Sequence, residues 1–452
     1  MSNQTEKIST VVSRLRCDGF RFLSRREDMS LYRYDPKRGI YTDSVASYVG
    51  EAARSQLATD SSIRLVDEVV GYLRDTSYMP EGVDFDADPN KLVVGNGVLD
   101  IQTRELADFS PEYPARCCIN TPFIPDADCP TIKKMLKSSM SPLDRDLFEK
   151  FLGYILVPDQ RYKKALALVG PKNTGKTTVL NMLMGLLGES NIATETIQDL
   201  CDGRFTEHEL VGKMANFRDD IESFTIQHAD KVKELTGGFG LSKAEQKYIQ
   251  KRTAFKNRAK LVFTTNALPM PKNPEPVYFA RWIIIELQRV YHFASLGSTD
   301  AADPELQYKV MDELPGLLNL ALDGRERLFA ANGFPEQTDE EATLRYMAYT
   351  GDTISRFILN RVSPDPNSVV TKGEVTDAYK SFCSWSGVPA QDENVLSRTL
   401  RSVFPMIADA WVGNDKAWRG LCLRPTSATP PITTNFTYGV SLQPSTFVEG
   451  ED

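Results

Sequence analysis

The sequence predicts an α/β core, and three observations carry that prediction. The apolar run ALALV at 165–169 leads straight into a glycine-rich turn and then into helix-forming sequence at 177–187. Further strand-like runs at 213–218, 259–265 and 282–287 have helical sequence between them, which is an α/β alternation. Behind this core, 353–361, 372–385 and 393–404 carry helical patterns, and two short strands follow at 408–412 and 418–423 around Gly413 and Asn414. Three helices followed by a hairpin is the order of a winged-helix domain.

Composition bounds the rest. The chain has 452 residues, 53 basic against 61 acidic side chains for a net charge of −8, 41% hydrophobic and 25% charged residues. Those fractions exclude a disordered or fibrous chain, and at roughly 100–200 residues per domain they predict two to four domains. No stretch has the roughly 20 apolar residues of a membrane span, and MSNQTEKIST lacks the apolar centre of a secretion signal, so the expectation is a cytoplasmic protein without a membrane partner. The seven cysteines are scattered and never spaced C-x-x-C, and the three histidines are unpaired. A disulfide framework or zinc site is therefore not expected, and any metal should be a hard cation held by carboxylate and phosphate oxygens. The acidic balance argues against coating nucleic acid by bulk charge, so local basic loops must supply any such binding.

Four regions follow in order. Residues 1–155 read as an α+β domain: aromatic-rich short runs from Phe20 to Tyr41, an amphipathic stretch at 46–73, a hairpin in KLVVGNGVLDIQTREL with its turn at Asn96 and Gly97, and helical sequence at 131–156. Residues 156–310 hold the α/β core, and 345–424 the winged-helix order. From 425 to 452 a Pro-, Thr- and Ser-rich segment reads as a disordered tail.

The glycine-rich turn is Gly170-Pro171-Lys172-Asn173-Thr174-Gly175-Lys176-Thr177, which fits G-x-x-x-x-G-K-[ST]. Its backbone N–H groups would wrap a phosphate, Lys176 would reach the β and γ oxygens, and Thr177 would ligate Mg²⁺. The helix that starts there, with Thr178 in its first turn, adds its dipole. ATP and Mg²⁺ are thus the expected cofactors. Such a site also needs an acid at the end of a neighbouring strand. Asp219 and Asp220, after MANFR, are the candidates for metal and water, with Glu222 as a spare; the alternative is a solvated acidic turn. Asn266, ending KLVFTTN, could orient the attacking water or sense the γ-phosphate, although Asn before Ala-Leu-Pro is also an ordinary turn.

Taken in order, GPKNTGKTT, LVGKMANFRDDIES, KELTGGFGLSKAEQKY, KLVFTTNALPMP and YFARWIIIEL resemble the core of superfamily 3 helicases, in the phage, plasmid and poxvirus primase/helicase branch of AAA+ type ATPases. NGVLDIQTRELADFSPEY resembles the domain that precedes such cores. The resemblance implies Walker A residues Lys176 and Thr177, Walker B acids Asp219 and Asp220, sensor Asn266 and an arginine finger, Arg281, acting on ATP of the neighbouring subunit, hence a homo-hexameric ring. It also implies that the basic stretch from Lys231 to Lys260 (Lys231, Lys233, Lys243, Lys247, Lys251, Arg252, Lys256, Arg258, Lys260) lines a channel for single-stranded DNA, with Lys243, Lys247 and Lys251 as contacts. A solvated basic face is the alternative, and Phe239 stands where the family often has an acid. In the C-terminal block, Arg398, Arg401, Lys416 and Arg419 could meet duplex DNA. No primase constellation is evident, so a separate primase or an origin-binding protein is the expected further partner. The function expected is a replicative DNA helicase of a phage or plasmid. The rivals are a replication initiator or scaffold ATPase that assembles on origin DNA without processive unwinding, and another P-loop motor.

Overall fold

The structure is a computed structural model that describes residues 2–57, 62–203, 206–219, 225–237, 242–246, 249–272, 275–291, 303–385 and 388–425. The expected tail, apart from Pro425, lies outside the described residues.

A helix at Ser2–Cys17 opens the chain, and two more, Val45–Leu57 and Ile63–Thr76, occupy the amphipathic stretch. Val11, Leu15, Val49, Val69 and Leu73 from these three helices close one small core. A three-stranded antiparallel sheet (Phe22–Ser24, Leu31–Asp35, Ile40–Thr42) lies between the first two helices in sequence. The hairpin Lys91–Val94 and Gly97–Asp100 pairs Val94 with Gly97, so its turn is Gly95-Asn96, one residue before the expected Asn96-Gly97. Two contacts fix that register. A side chain at Gly95 would come within 2.5 Å of the Asn120 carbonyl. The Asn96 carboxamide also exchanges two hydrogen bonds with the Phe123 backbone, at 2.9 and 2.8 Å.

The central sheet has five parallel strands: β1 (Ala165–Val169), β2 (Ile192–Ala193), β3 (Ala215–Arg218), β4 (Lys260–Thr265) and β5 (Trp282–Glu286), in the order β5-β1-β4-β3-β2. A sheet covered on both faces needs apolar residues at successive positions. β1 supplies them, with Leu166 and Leu168 facing one core and Ala165, Ala167 and Val169 the other. The register aligns Val169 with Thr265 and with Glu286, and Arg218 with Phe263, so the residues following β1, β3 and β4 leave the same edge.

Three helices frame the first face: α1 (Pro142–Ile155), α2 (Lys176–Leu187) and α3 (Leu314–Ala330). α1 and α3 cross with almost no gap, because a side chain at Gly153 would strike the Arg325 backbone and one at Gly324 the Glu149 carbonyl. One apolar core therefore runs from Leu92 through Phe148, Phe151 and Leu166 to Leu328 without a break at residue 155. α3 itself falls in a stretch, 311–344, that lies between the expected core and C-terminal blocks.

Helix Asp339–Ala348, started by a capping box between Thr338 and Glu341, sends Ala342 and Tyr346 into the second core and Leu344 and Ala348 into the C-terminal one. The C-terminal block then runs Thr353–Arg361, Val362–Thr371, Lys372–Trp385, Glu393–Val403, Ala408–Val412 and Asp415–Leu423. The strand Val362–Thr371 is additional to the expected elements and forms an edge of the sheet against Asp415–Leu423. Among the described residues no helix is long and apolar enough to cross a membrane.

Candidate active site

The loop between β1 and α2 is shaped by backbone conformations that few side chains tolerate. Gly175 and Asn173 lie in the left-handed region, at φ 87° and 63°, and a side chain at Gly170 would sit 2.5 Å from the Leu287 carbonyl. The turn aims the first residues of α2 along the sheet edge. Lys176 is buried, and its Nζ donates to the Gly170 and Pro171 carbonyls at 2.7 Å each and to Asn266 Oδ1 at 3.1 Å. Thr177 Oγ1 donates to Asp219 Oδ2 at 2.8 Å, while the Thr264 hydroxyl donates to the other Asp219 oxygen. Thr174 Oγ1 closes the turn on the Pro171 carbonyl at 3.0 Å.

Lys176, Thr177, Asp219 and Asn266 thus meet at one end of the sheet, delivered by the exits of β1, β3 and β4. Lys172 and Thr178 line the same cleft, whose volume is about 760 Å³, within the range of small-molecule sites. Asp220 and Glu222 lie outside the described residues. The donor set suits a hard divalent cation: a hydroxyl and a carboxylate oxygen already in contact, with phosphate oxygens to complete it. Among the described residues, no group of three His, Cys, Asp or Glu could hold a metal by itself, and all seven cysteines are free.

The opposite wall contains residues that the motifs do not reveal. Helix Pro130–Ser139, whose first N–H groups at Thr131 and Ile132 are held by the Glu313 carboxylate at 3.0 Å, presents Met135 and Ser138. Tyr291 donates its backbone N–H to the Asn173 carbonyl at 2.9 Å, and its hydroxyl lies 3.1 Å from both Ser138 Oγ and Ser139 Oγ. The sequence signal for this helix was present, but nothing in its spacing said that it faces the loop.

Arg281 stands elsewhere. It precedes β5, and its carbonyl accepts from Ala165 N at 2.7 Å, which fixes it at the sheet edge opposite the loop. Five strand residues separate the two edges, about 16 Å. Its Nη1 reaches the Lys163 carbonyl at 3.4 Å, and its Nε is buried without a hydrogen-bond partner among the described residues. Burial lowers the pKa of this guanidinium. The Lys164 amine beside it, donating to the Ala280 carbonyl at 2.6 Å, is pushed down to about 8 by burial and by the Arg281 charge.

The basic stretch divides. Strands Ser242–Gln246 and Ile249–Phe255 form an antiparallel hairpin carrying Lys243 and Lys251, while Lys247 lies outside the described residues. Four cations counted with them are engaged in the fold. Arg258 Nη2 donates to Asp86 at 2.9 Å and to the Gly212 carbonyl at 3.2 Å. Lys260 is fully buried, bonded to the Val157 and Arg258 carbonyls at 2.7 and 2.9 Å, and lies over the Tyr154 ring; burial brings its amine down to about 7. Lys231 pairs with Glu207 and Glu234, and Lys233 with Glu275. The expectation that the whole stretch offers charge to DNA is therefore corrected for Arg258 and Lys260, whose side chains are consumed inside the molecule. In the C-terminal block Arg398, Lys416 and Arg419 are exposed, whereas Arg401 is paired with Asp409 at 2.7 Å.

Comparison with known proteins gives two family matches. Residues 26–141 match the model described as D5 N terminal like, and residues 168–277 match a family of unknown function, DUF5906. Two solved apo structures of the NrS-1 C terminal region are among the similar chains. One has a TM-score of 0.45 at 10% identity and covers 92% of this chain and 99% of that one; the other has 0.43 at 11%, covering 91% and 98%. A phosphoribosyl imidazole-4-carboxamide isomerase of Magnetococcus marinus is 28% identical over 95 residues, and the chain spans 38% of that relative's length. The chain is a mixed α/β protein with a parallel sheet, and its front block is similar to the D5 N terminal like family.

Proposed function

We propose that the chain is an ATP-dependent DNA helicase of a phage or plasmid replicon, with an AAA+ type core of superfamily 3 and a winged-helix C-terminal domain, working as a hexameric ring on single-stranded DNA. The observation that carries this reading is the convergence of Lys176 with Asn266 and of Thr177 with Asp219 at the exits of three parallel strands. The strand order β5-β1-β4-β3-β2 and the match of residues 26–141 to the D5 N terminal like model support it.

In this reading Lys176 exchanges its two loop carbonyls for β- and γ-phosphate oxygens, and the loop N–H groups orient the triphosphate. Thr177 and Asp219 would hold Mg²⁺, which when bound would neutralise phosphate charge. Asn266 keeps the amine aligned and presents its amide to the γ-phosphate or the attacking water. Arg281, on the far edge, cannot serve its own loop. It fits the finger of a ring, which stabilises transition-state charge on ATP held by the adjacent subunit. The hairpin with Lys243 and Lys251 would grip phosphates of the strand in the channel.

The test is ATPase rate with and without single-stranded DNA, for the native chain, Lys176→Ala and Arg281→Ala, with oligomer mass measured in parallel. Stimulation by DNA that both variants lose while ring mass persists is the expected result. Turnover indifferent to DNA, with Arg281→Ala fully active, would favour an initiator or scaffold ATPase.

A further inference from the structure

The segment that leaves β4 through Asn266 is tied down by a helix from much later in the chain. Leu268 and Pro269 are buried, and each gives one backbone group to helix Asp339–Ala348 or the residue that ends it. The Leu268 N–H donates to the Tyr349 carbonyl at 2.7 Å, and the Pro269 carbonyl accepts from the Tyr346 hydroxyl at 2.8 Å. Tyr346 is fully buried, and its hydroxyl also meets that of Tyr278, in helix Pro276–Phe279, at 2.9 Å. A carbonyl can only accept and a phenol carries one hydrogen, so Tyr346 gives its hydrogen to Pro269 and Tyr278 is the donor to Tyr346. The rings of Tyr278, Phe279 and Trp282 stand 5.4, 5.3 and 5.9 Å from the Tyr346 ring, centroid to centroid, and hold it in one place.

We propose that Tyr346 is a positioning residue for ATP hydrolysis: by holding the Pro269 carbonyl, its hydroxyl fixes where the Asn266 carboxamide stands against Lys176. The inference rests on the nucleoside triphosphate reading given above. Tyr346 acts at a distance, since Pro269 lies three residues beyond Asn266, whose Oδ1 meets Lys176 Nζ at 3.1 Å. Without the hydroxyl, the Pro269 carbonyl would be left in apolar surroundings with its donor gone, and a buried carbonyl in that state is drawn toward water. The segment can answer only by moving. A shift of about 1 Å at a group that aligns reacting atoms costs up to about a hundredfold in rate. The helix between the core and the C-terminal block thereby becomes part of the machinery of the cleft.

The experiment compares steady-state ATP hydrolysis by the full chain, in Mg²⁺ and single-stranded DNA, for the native protein, Tyr346→Phe, Tyr278→Phe, Asn266→Ala and the Tyr346→Phe/Asn266→Ala double variant, with thermal unfolding of each as a check on folding. Tyr346→Phe keeps the ring packing, and it should lower kcat about tenfold while KM stays within about twofold of native. Tyr278→Phe removes a hydroxyl from the same aromatic cluster but spares the bond to Pro269, so its kcat should stay within about twofold of native. In the double variant the losses should not multiply: once the Asn266 carboxamide is gone, Tyr346→Phe should change kcat by less than about twofold. Equal losses in Tyr346→Phe and Tyr278→Phe, an unchanged kcat in Tyr346→Phe, or full multiplication in the double variant would each overturn the positioning role and leave the ATP site standing. A native chain that hydrolyses no ATP would overturn both.

Discussion

Lys176 Nζ and Asn266 Oδ1 meet at 3.1 Å, joining the helix that follows β1 to the end of β4, the strand paired beside it. The same amine is held by two carbonyls of its own loop, and Asn266 ties it to the neighbouring strand. Asn266→Ala removes that tie while leaving the loop intact. Turnover of ATP should fall about a hundredfold, the scale for losing one preorganised polar group, while nucleotide affinity stays close to native. Single-turnover hydrolysis beside a binding titration separates the two; a lost affinity with an unchanged chemical step would contradict this role.

In the proposed ring, Arg281 on the opposite sheet edge acts on nucleotide held by the adjacent subunit. Lys176→Ala and Arg281→Ala should each be inactive alone, yet an equal mixture should regain activity. In randomly mixed rings about one quarter of interfaces join an intact loop to an intact finger. Mixing after dissociation and reassembly, followed by an ATPase assay, measures this. A mixture no more active than its parts would sink the trans finger.

Two buried titratable groups give stability opposite pH slopes. Glu286 ends β5, accepts from the Tyr349 hydroxyl at 3.4 Å, and is raised by burial to about 8. Its folded form keeps a proton that the unfolded chain releases near pH 4.5, so this group's contribution is full below pH 4.5 and declines as pH rises to 8. Lys260 behaves the other way. Its folded amine, at about 7, loses a proton that the unfolded chain holds to about 10.5, so this group adds stability as pH rises from 7 to 10.5. Denaturant midpoints across pH 5–10 should show Glu286→Gln flattening the acid side and Lys260→Met the alkaline side. Variants that parallel the native curve would exclude both assignments.

How far the sequence reveals such positions depends on what fixes them. The apolar periodicity of β1, β4 and β5 and the spacing of the glycine-rich loop are local, and the observed strands lie within one or two residues of the expected ones. Lys260 and Arg258 are opaque for the opposite reason. Adjacent to seven other cations they read as surface charge, and only the distant carbonyl of Val157 and carboxylate of Asp86 turn them inward. The strand Val362–Thr371 was hidden by Pro364 and Pro366, which discourage a strand reading. The fold accommodates them because this is an edge strand with a register shift between Asp365 and Val369. Helix Ser2–Cys17 was legible in the spacing of Ile8, Val11, Val12 and Leu15 but stands before the aromatic runs that drew the reading. Nothing in the spacing of Tyr291 marks it, because the loop it meets at the cleft is distant in sequence.

The crossing of α1 and α3 gives a stability prediction. Gly324→Ala places a methyl group against the Glu149 carbonyl, and backbone atoms cannot swing aside as a side-chain tip would. A loss of about 1–3 kcal/mol is expected, seen as a lower unfolding midpoint. Gly71→Ala, on an open helix surface with nothing near its added methyl, is the matched control and should be neutral or stabilising.

That crossing also bears on ancestry. Since the core runs unbroken from Leu92 to Leu328, a recombination breakpoint at residue 155 would strand Phe148 and Phe151 from the strands and helices they were selected to fit. The front block and the sheet are therefore heritable only as a pair. Relatives that exchange pieces of this chain should have their joints at the small N-terminal helical core or beyond helix Asp339–Ala348, where separate cores begin.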